Sequence, residues 1–446
     1  MINLFDYFDA KTELLYKSLQ LAGHNNPTIV LHDDGFLPDE VMSPYRFFAH
    51  NLVSPQDKPR FFNEIEVPRF WEIEGNNDEA WIKELGEKRG KICYRPNDKP
   101  RIVQRVEWYD KDKVVRFVDH YTKTGIKYAQ TVYDKKGKAI LKKYMDRNGK
   151  EIIYENYVTR DVVLDWEGQT YFFDSEVAFI LFYIEQLNIE MDGFIINSLA
   201  TSFGVLYNLE TKGEDVLFWQ EQSNGVIPGN MKMIFNNEMR RKFKVNVPSR
   251  LEYQTLMNYT QDSEKKFIRP SGYLFKYDKK NQHSENALIM TNSDQIEHIE
   301  TIVMTSPNIT FHIAAVTEMS SKLMNLEQHP NVKLYPTITN DKIQKLYKTC
   351  DVFLDINEGK EIVGAVQKAF DNDMLILGYK EIAHNRNVTS PTNLFSKVNE
   401  LPNLNETLTY IFESKEAFDQ RLESQKLNVN EVSKAQFNAA LNAVIE

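Results

Sequence analysis

The chain has 446 residues, 42% of them hydrophobic and 26% charged, with a net charge of −10 at neutral pH. That length exceeds one ordinary core and predicts two or three globular domains, and the acidic balance excludes a general nucleic-acid binder. Two cysteines far apart, Cys93 and Cys350, are expected as free thiols in a reducing compartment.

The opening, MINLFDYFDAKTELLYKSLQLAG, has no basic start of a secretory signal and carries Asp6, Asp9 and Glu13 among its apolar residues. Leu4, Phe5, Phe8, Leu15 and Leu19 fall at helical spacing and predict one amphipathic helix. A short strand from Thr28 to Leu31 follows, and then the polar turn His32-Asp33-Asp34-Gly35. Those three side chains could ligate a metal, but a solvated turn is the plainer reading. The longest apolar run, Val177 to Ile184, is far short of the ~20 residues of a membrane span. No integral membrane segment is expected, and the chain reads as cytoplasmic.

From Arg101 to Asp165 turn signals recur roughly every 12 residues, at Asp110-Lys111-Asp112, Thr122 to Gly125, Asp134 to Gly137 and Asp146 to Gly149. The β-rich runs between them predict an antiparallel meander of hairpins. This stretch holds 15 Lys/Arg against 10 Asp/Glu, a basic segment in an acidic chain. Its aromatic residues, Trp108, Tyr109, Phe117, Tyr121, Tyr133 and Tyr144 among them, are interleaved with cations and suit a protein-contact surface, because no second sheet is available to cover them. A half-buried sheet with a solvated polar face is the bland alternative.

Strands and helices alternate from about Tyr171 to Leu274: a helix from Ser175 to Leu187, strands at Gly193–Ile196 and Val216–Trp219, a helix from Asn230 to Phe243 and a strand near Arg250. Alternation returns after Tyr273, with strands at 287–291, 310–314, 332–335, 352–356 and 375–377, and two polar helical stretches from Ala417 to Glu446. Within this last region, HPNVKLYPTITNDKIQKLYKTCDVFLDINEGKEIVGAVQKAFDNDMLILGY has the cadence of a nucleotide-sugar site: a buried strand, the loop Asn357-Glu358-Gly359, and a helix expected to start at Gly359-Lys360.

The chain resembles glycosyltransferases of the GT-B architecture and, more specifically, the GtfB family. These are the stabilising subunits of the O-linked glycosyltransferase of the accessory Sec system in streptococci and staphylococci. The opening helix sequence, HDDGFLPDEVMSPYRFF, VQRVEWYDKDKVVRFVDHY and DVFLDINEGKEIVGAV carry the resemblance, which spans essentially the whole chain. It implies an α/β, GT-B-like fold of two Rossmann-like domains with an antiparallel β-meander inserted in the first. The N-terminal domain would cover 1–54 and 166–272, the inserted extended sheet 55–165, and the C-terminal domain 273–446 with a helical tail crossing back. It also implies a catalytic partner, GtfA, and transfer of N-acetylglucosamine from UDP to Ser and Thr of serine-rich repeat adhesins. The chain itself would stabilise that partner and hold the acceptor, in the cytoplasm or peripherally at the inner face of the membrane.

A retaining transferase of this fold neutralises the diphosphate with an Arg and a Lys after the first strand of the C-terminal domain. Here Asn292-Ser293-Asp294-Gln295-Ile296-Glu297-His298 follows that strand, with two carboxylates and no such pair. Active relatives place a second glutamate eight residues after the one matched by Glu358; Val366 stands there, and a small gap brings only Gln367 or Lys368. Glu361 and Asp294 add charge that repels phosphate. No catalytic residue is therefore assigned, and no cofactor or metal is expected: nine histidines lack ligand spacing, and Walker, G-x-G-x-x-G and G-x-S-x-G motifs are missing. Acceptor contacts are expected from loops after strands, facing one another between the two α/β domains: Asn197, Ser198, Ser202, Gln222 and Asn224 on one side, Asn292, Ser293, Asn357 and Glu358 on the other. The alternatives are an active retaining transferase whose atypical phosphate site uses Lys360 or Lys368, and a self-sufficient peptide chaperone, which leaves the hairpin array without a purpose.

Overall fold

The computed structural model describes residues 1–50, 54, 56–76, 78–96, 101–362, 364–398 and 401–443. Val363 of the nucleotide-sugar signature and the last three residues of the tail lie outside them. The chain forms two compact units, Met1–Ser271 with the tail from Asn438, and Gly272–Phe437. The first unit begins with strands β1 (Ile2–Phe5) and β2 (Thr28–Val30). Ten strands of one antiparallel sheet follow: β3 (Trp71–Gly75), β4 (Ala80–Glu84), β5 (Glu87–Tyr94), β6 (Val103–Tyr109), β7 (Val115–Tyr121), β8 (Lys127–Tyr133), β9 (Ala139–Met145), β10 (Glu151–Asn156), β11 (Val162–Trp166) and β12 (Gln169–Phe173). The chain then returns to the first sheet with β13 (Phe194–Ile196), β14 (Glu214–Phe218), β15 (Lys242–Val247) and β16 (Ile268–Pro270), giving a parallel order β16-β15-β14-β13-β1-β2.

The opening segment is not one helix. Ile2–Phe5 is buried at every position, as a central parallel strand covered on both faces must be. The helix α1 (Ala10–Ala22) begins only after Asp9, whose carboxylate accepts the Thr12 amide at 2.9 Å, and stops at Gly23 in the left-handed region. A second expectation also changes. The helix placed over Asn230–Phe243 covers only Gly229–Phe235, and the alternating KFKVNV that follows is strand β15. Arg250 opens a helix rather than a strand, because Ser249 caps it through the Glu252 amide.

The hairpin turns repeat one device. At Asp134 and Asp146 the carboxylate accepts two amides, two and four residues on, and a glycine in the left-handed region closes the turn. At Asp110 the same carboxylate geometry recurs with Lys113 in the left-handed position. The sheet is only half uncovered. Paired positions Ala129, Tyr144, Ile153 and Leu164 share one face. That face is packed against helices α2 (Pro44–Phe48) and α3 (Glu176–Leu187), with Tyr144 stacked on Tyr45 at 3.8 Å. The cover that no second sheet provides is supplied on this face by helices.

Polar knots fix the unit. Asp33 is buried and pairs with Arg46 at 2.6 Å, while Asp34 pairs with Arg95 at 2.6 Å, so the His32–Gly35 turn is a structural tie and not a solvated one. At the other end of the parallel sheet, Arg241 and Asp215 are fully buried. The guanidinium donates to Asp215 at 2.7 and 2.8 Å and to the Thr211 and Met191 carbonyls, and Asp215 also accepts the Phe194 amide. A Cβ at Gly213 would stand 2.0 Å from that guanidinium, which is why glycine occupies the position.

The second unit is a doubly wound parallel sheet of β17 (Asn286–Thr291), β18 (Thr310–Ala315), β19 (Val332–Tyr335), β20 (Val352–Asp355), β21 (Leu375–Tyr379) and β22 (Leu394–Phe395), ordered β19-β18-β17-β20-β21-β22. The strand order reverses between β17 and β20, the switch point where ligands of such sheets sit. Among the described residues no helix is long and apolar enough to cross a membrane.

Candidate functional site

The residues expected at a sugar-diphosphate site do gather at the β17/β20 switch point. The loop after β17 is tied to the loop after β20 by the Glu358 amide donating to the Gln295 carbonyl at 3.0 Å. Asn357 is buried, and its Oδ1 accepts from Thr291 Oγ1 at 2.8 Å and from the Gly359 amide at 3.2 Å. Its carbonyl oxygen holds the loop together and is already used by these two donors. The Asn292 side chain lies so close over Gly359 that a Cβ there would meet its Oδ1 at 2.0 Å.

Lys397, which no sequence motif flags, supplies a cation from the segment after β22. Its ammonium contacts the carboxylates of Glu297, at 2.7 Å, and Glu358. The hydrogen bonds to Glu297 and Glu358 push Lys397 up to about 12, and Lys397 in turn holds Glu358 below the usual carboxylate range. The positive charge of Lys397 is thus engaged by two of the chain's own carboxylates.

The helix expected to begin at Gly359-Lys360 begins instead at Ala365 and runs to Asp371. Gly364, in the left-handed region, precedes it, and Glu361 Oε1 accepts the Val366 amide at 3.0 Å. A side-chain carboxylate therefore occupies the place where a helix start would offer amides to phosphate. His384 completes the clamp: Nδ1 bonds Asp355 at 2.5 Å and Nε2 bonds the Gly359 carbonyl at 2.7 Å. Two acceptors favour the imidazolium, and Asp355, then the Gly359 carbonyl, lift its pKa to about 9. A raised folded-state pKa stabilises fully below the unfolded value near 6.5 and ceases to do so as pH rises through about 9. His384→Ala is accordingly expected to lower the melting temperature of the chain at pH 6.5 and to change it little at pH 10, as thermal melts at the two pH values would check.

In the first unit, Asp6 performs the equivalent self-capping, accepting the Ser202 amide at 2.7 Å at the start of helix α4 (Thr201–Asn208). Ser202 itself is fully buried and bonds the Ser198 carbonyl, so it is structural and not a contact residue. Asn197 donates to Thr12 Oγ1 at 2.7 Å and to Gln220 Oε1 at 3.2 Å, leaving its buried Oδ1 without a partner. Ser198 accepts the Ala200 amide, and Gln222 and Asn224 are exposed. Between them the buried Ser223 Oγ also lacks a partner, a residue the sequence reading passed over. Asn292, Ser293 and Glu358 are exposed or half-exposed in the second unit.

Of the six aromatic residues singled out in the meander, Tyr121 and Tyr144 are buried, Tyr121 in a cluster with Ile65, Ile82, Ile92 and Val106 on one face and Tyr144 in the core on the other. Trp108, Tyr109 and Tyr133 are half-buried, and Phe117 is 42% exposed. The register places Phe117, Val132 and Leu141 on the open face, with Lys143, Tyr154, Val163 and Phe172 continuing it. Phe172, at the edge, is 77% exposed. Periodicity alone could not locate this stripe, because bulges in β6 to β10 shift the alternation.

Neither cysteine is activated: burial pushes Cys93 up to about 11 and Cys350 up to about 12. Among the described residues no group of His, Cys, Asp or Glu could hold a metal.

Four family models match the chain in order: the GtfB N-terminal domain over residues 2–48, the GtfB middle domain over 71–174, the GtfB third domain over 176–259, and the GftB/GlyA-F C-terminal domain over 287–425. The chain is 37% identical over 419 residues, 93% of its length and 95% of the relative's, to the UDP-N-acetylglucosamine–peptide N-acetylglucosaminyltransferase stabilizing protein GtfB of Streptococcus agalactiae. The chain belongs to the GtfB family. A GtfB protein of Streptococcus pneumoniae is also 37% identical, with both chains covered in full. A chain in the crystal structure of a GtfA/B complex bound to UDP and GlcNAc superposes with a TM-score of 0.88 at 35% identity over 100% of both. The fold is GT-B-like, with two Rossmann-like sheets and the GtfB middle domain as the inserted meander.

Proposed function

We propose that this chain is the non-catalytic, stabilising and acceptor-holding subunit of a two-component protein O-GlcNAc transferase. A GtfA-type chain performs the transfer from UDP-GlcNAc, and the acceptors are Ser/Thr-rich adhesin polypeptides destined for the accessory Sec route. The observation that carries the reading is the state of the would-be donor loop: Lys397 is bound to Glu297 and Glu358, and Glu361 caps the Val366 amide. A diphosphate would have to displace these internal pairs. The open meander face, with Phe117, Leu141, Tyr154 and Phe172, supports docking of the catalytic chain. The unpartnered Asn197 Oδ1 and Ser223 Oγ support hydrogen bonding to an extended peptide at the strand ends of the first unit. Such a subunit works in the cytoplasm, peripherally at the inner membrane face where export begins.

The test is Glu358→Gln in the assembled complex. Activity within about twofold of wild type is expected, because the carboxylate is held by the chain's own Lys397 and Glu297. A loss on the order of 100-fold in a normally assembled complex would show that Glu358 acts in transfer and overturn the reading.

A further inference from the structure

A cavity of about 390 Å³ lies in the first unit where three elements meet: the loop from Asp33 to Ser43 with helix α2, the Thr122–Ile126 turn between β7 and β8, and the C-terminal end of α3. We infer that it is a binding site for a small neutral molecule with an apolar body and one hydrogen-bonding group. Its volume falls in the range of pockets that take such ligands. Val41, Met42, Phe47, Ile126 and Leu187 give it apolar walls.

The charged groups on its lining are already engaged. Arg46 binds Asp33 at 2.6 Å and donates to the Leu37 and Pro38 carbonyls. Lys123 binds Asp39 and the Leu37 carbonyl, both at 2.7 Å. An ionic ligand would have to break these pairs, so charge does not select the occupant. Tyr128 and Tyr45 are satisfied as well, by the Asp33 carbonyl and the Glu155 carboxylate.

Tyr183 is the exception. It lines the cavity, it is wholly buried, and its hydroxyl has no hydrogen-bond partner. A buried phenol is normally paired, and the rings packed against Tyr183 are those of Phe47 and Phe48. A ligand carbonyl or hydroxyl entering among the apolar walls would satisfy it. Because the walls belong to both the meander and the helices that cover it, occupancy would stiffen the seam between them.

The test titrates the full chain with acetophenone, an aromatic body with one carbonyl acceptor, and with ethylbenzene, which has the body alone. Acetophenone is expected to bind with a Kd on the order of 0.1–1 mM. Tyr183→Phe is expected to weaken acetophenone about 5- to 10-fold and to leave ethylbenzene unchanged, which also shows that the variant cavity is intact. Leu187→Trp, filling the space, is expected to abolish binding of both. Unchanged acetophenone affinity in Tyr183→Phe overturns the assignment of the hydroxyl, and failure of both probes to bind the folded wild-type chain at several millimolar overturns the site.

Discussion

Replacing Asp215 by alanine is expected to destabilise the first unit by about 3–5 kcal/mol, because it leaves the Arg241 guanidinium buried without its counter-charge. The ion pair is not strong evidence for stability as such, since two charges had to leave water to form it. Its removal by halves is what costs. The double change Asp215→Leu with Arg241→Met is therefore expected to recover a large part of the loss, and urea unfolding of the three proteins measures both effects. Gly213→Ala attacks the same knot from the other side, since its Cβ would lie 2.0 Å from Arg241 Nη2 and 2.5 Å from the Asp192 carbonyl. A loss below about 1 kcal/mol for Asp215→Ala would mean that water reaches the guanidinium and that the pair is not sealed.

Phe117→Glu combined with Phe172→Glu is expected to weaken assembly of the reconstituted pair, and transfer activity with it at limiting subunit, by a factor on the order of 1,000. Two apolar anchors of an interface are worth about 2 kcal/mol each, and a carboxylate on either adds a desolvation penalty. Both side chains are exposed on the open face of the meander, 42% and 77%. The isolated chain should therefore keep its fold and melting temperature. Sedimentation of the mixture separates the two effects: the account predicts unassembled subunits of normal stability. The covered face gives the contrast. Tyr144→Ala removes a ring stacked on Tyr45 inside the core, so it should act through stability of the isolated chain.

Much of this architecture was legible in the sequence for physical reasons. The meander announced itself because three of its turns share the same chemistry, an Asp that bonds the backbone two residues on and, at Gly137 and Gly149, a residue free to take positive φ. The strands of the second unit were visible as short continuous apolar runs, the pattern of a sheet buried on both faces. The opening strand was not, because Leu4 and Phe5 fit a helical stripe running on to Leu15 and Leu19 until Asp9 is recognised as a cap. At the site, the missing cation pair and the missing second glutamate were readable, since they are departures at matched positions. The residues that fill their place were not. Lys397 and His384 reach the loop from segments distant in sequence, and only the fold brings them to Glu358 and Gly359. The covered face of the meander was also out of reach, because α2 and α3 that cover it come from either side of the insertion.

Whether the donor loop is closed on itself is decided by calorimetric titration of the full chain with UDP-N-acetylglucosamine, followed by UDP. No binding heat is expected at millimolar ligand from a chain shown by circular dichroism to be folded, since Lys397 and the Val366 amide are already taken. Binding in the micromolar range would contradict it. That affinity, on the order of 8 kcal/mol, requires a diphosphate clamp that the paired carboxylates do not leave room for.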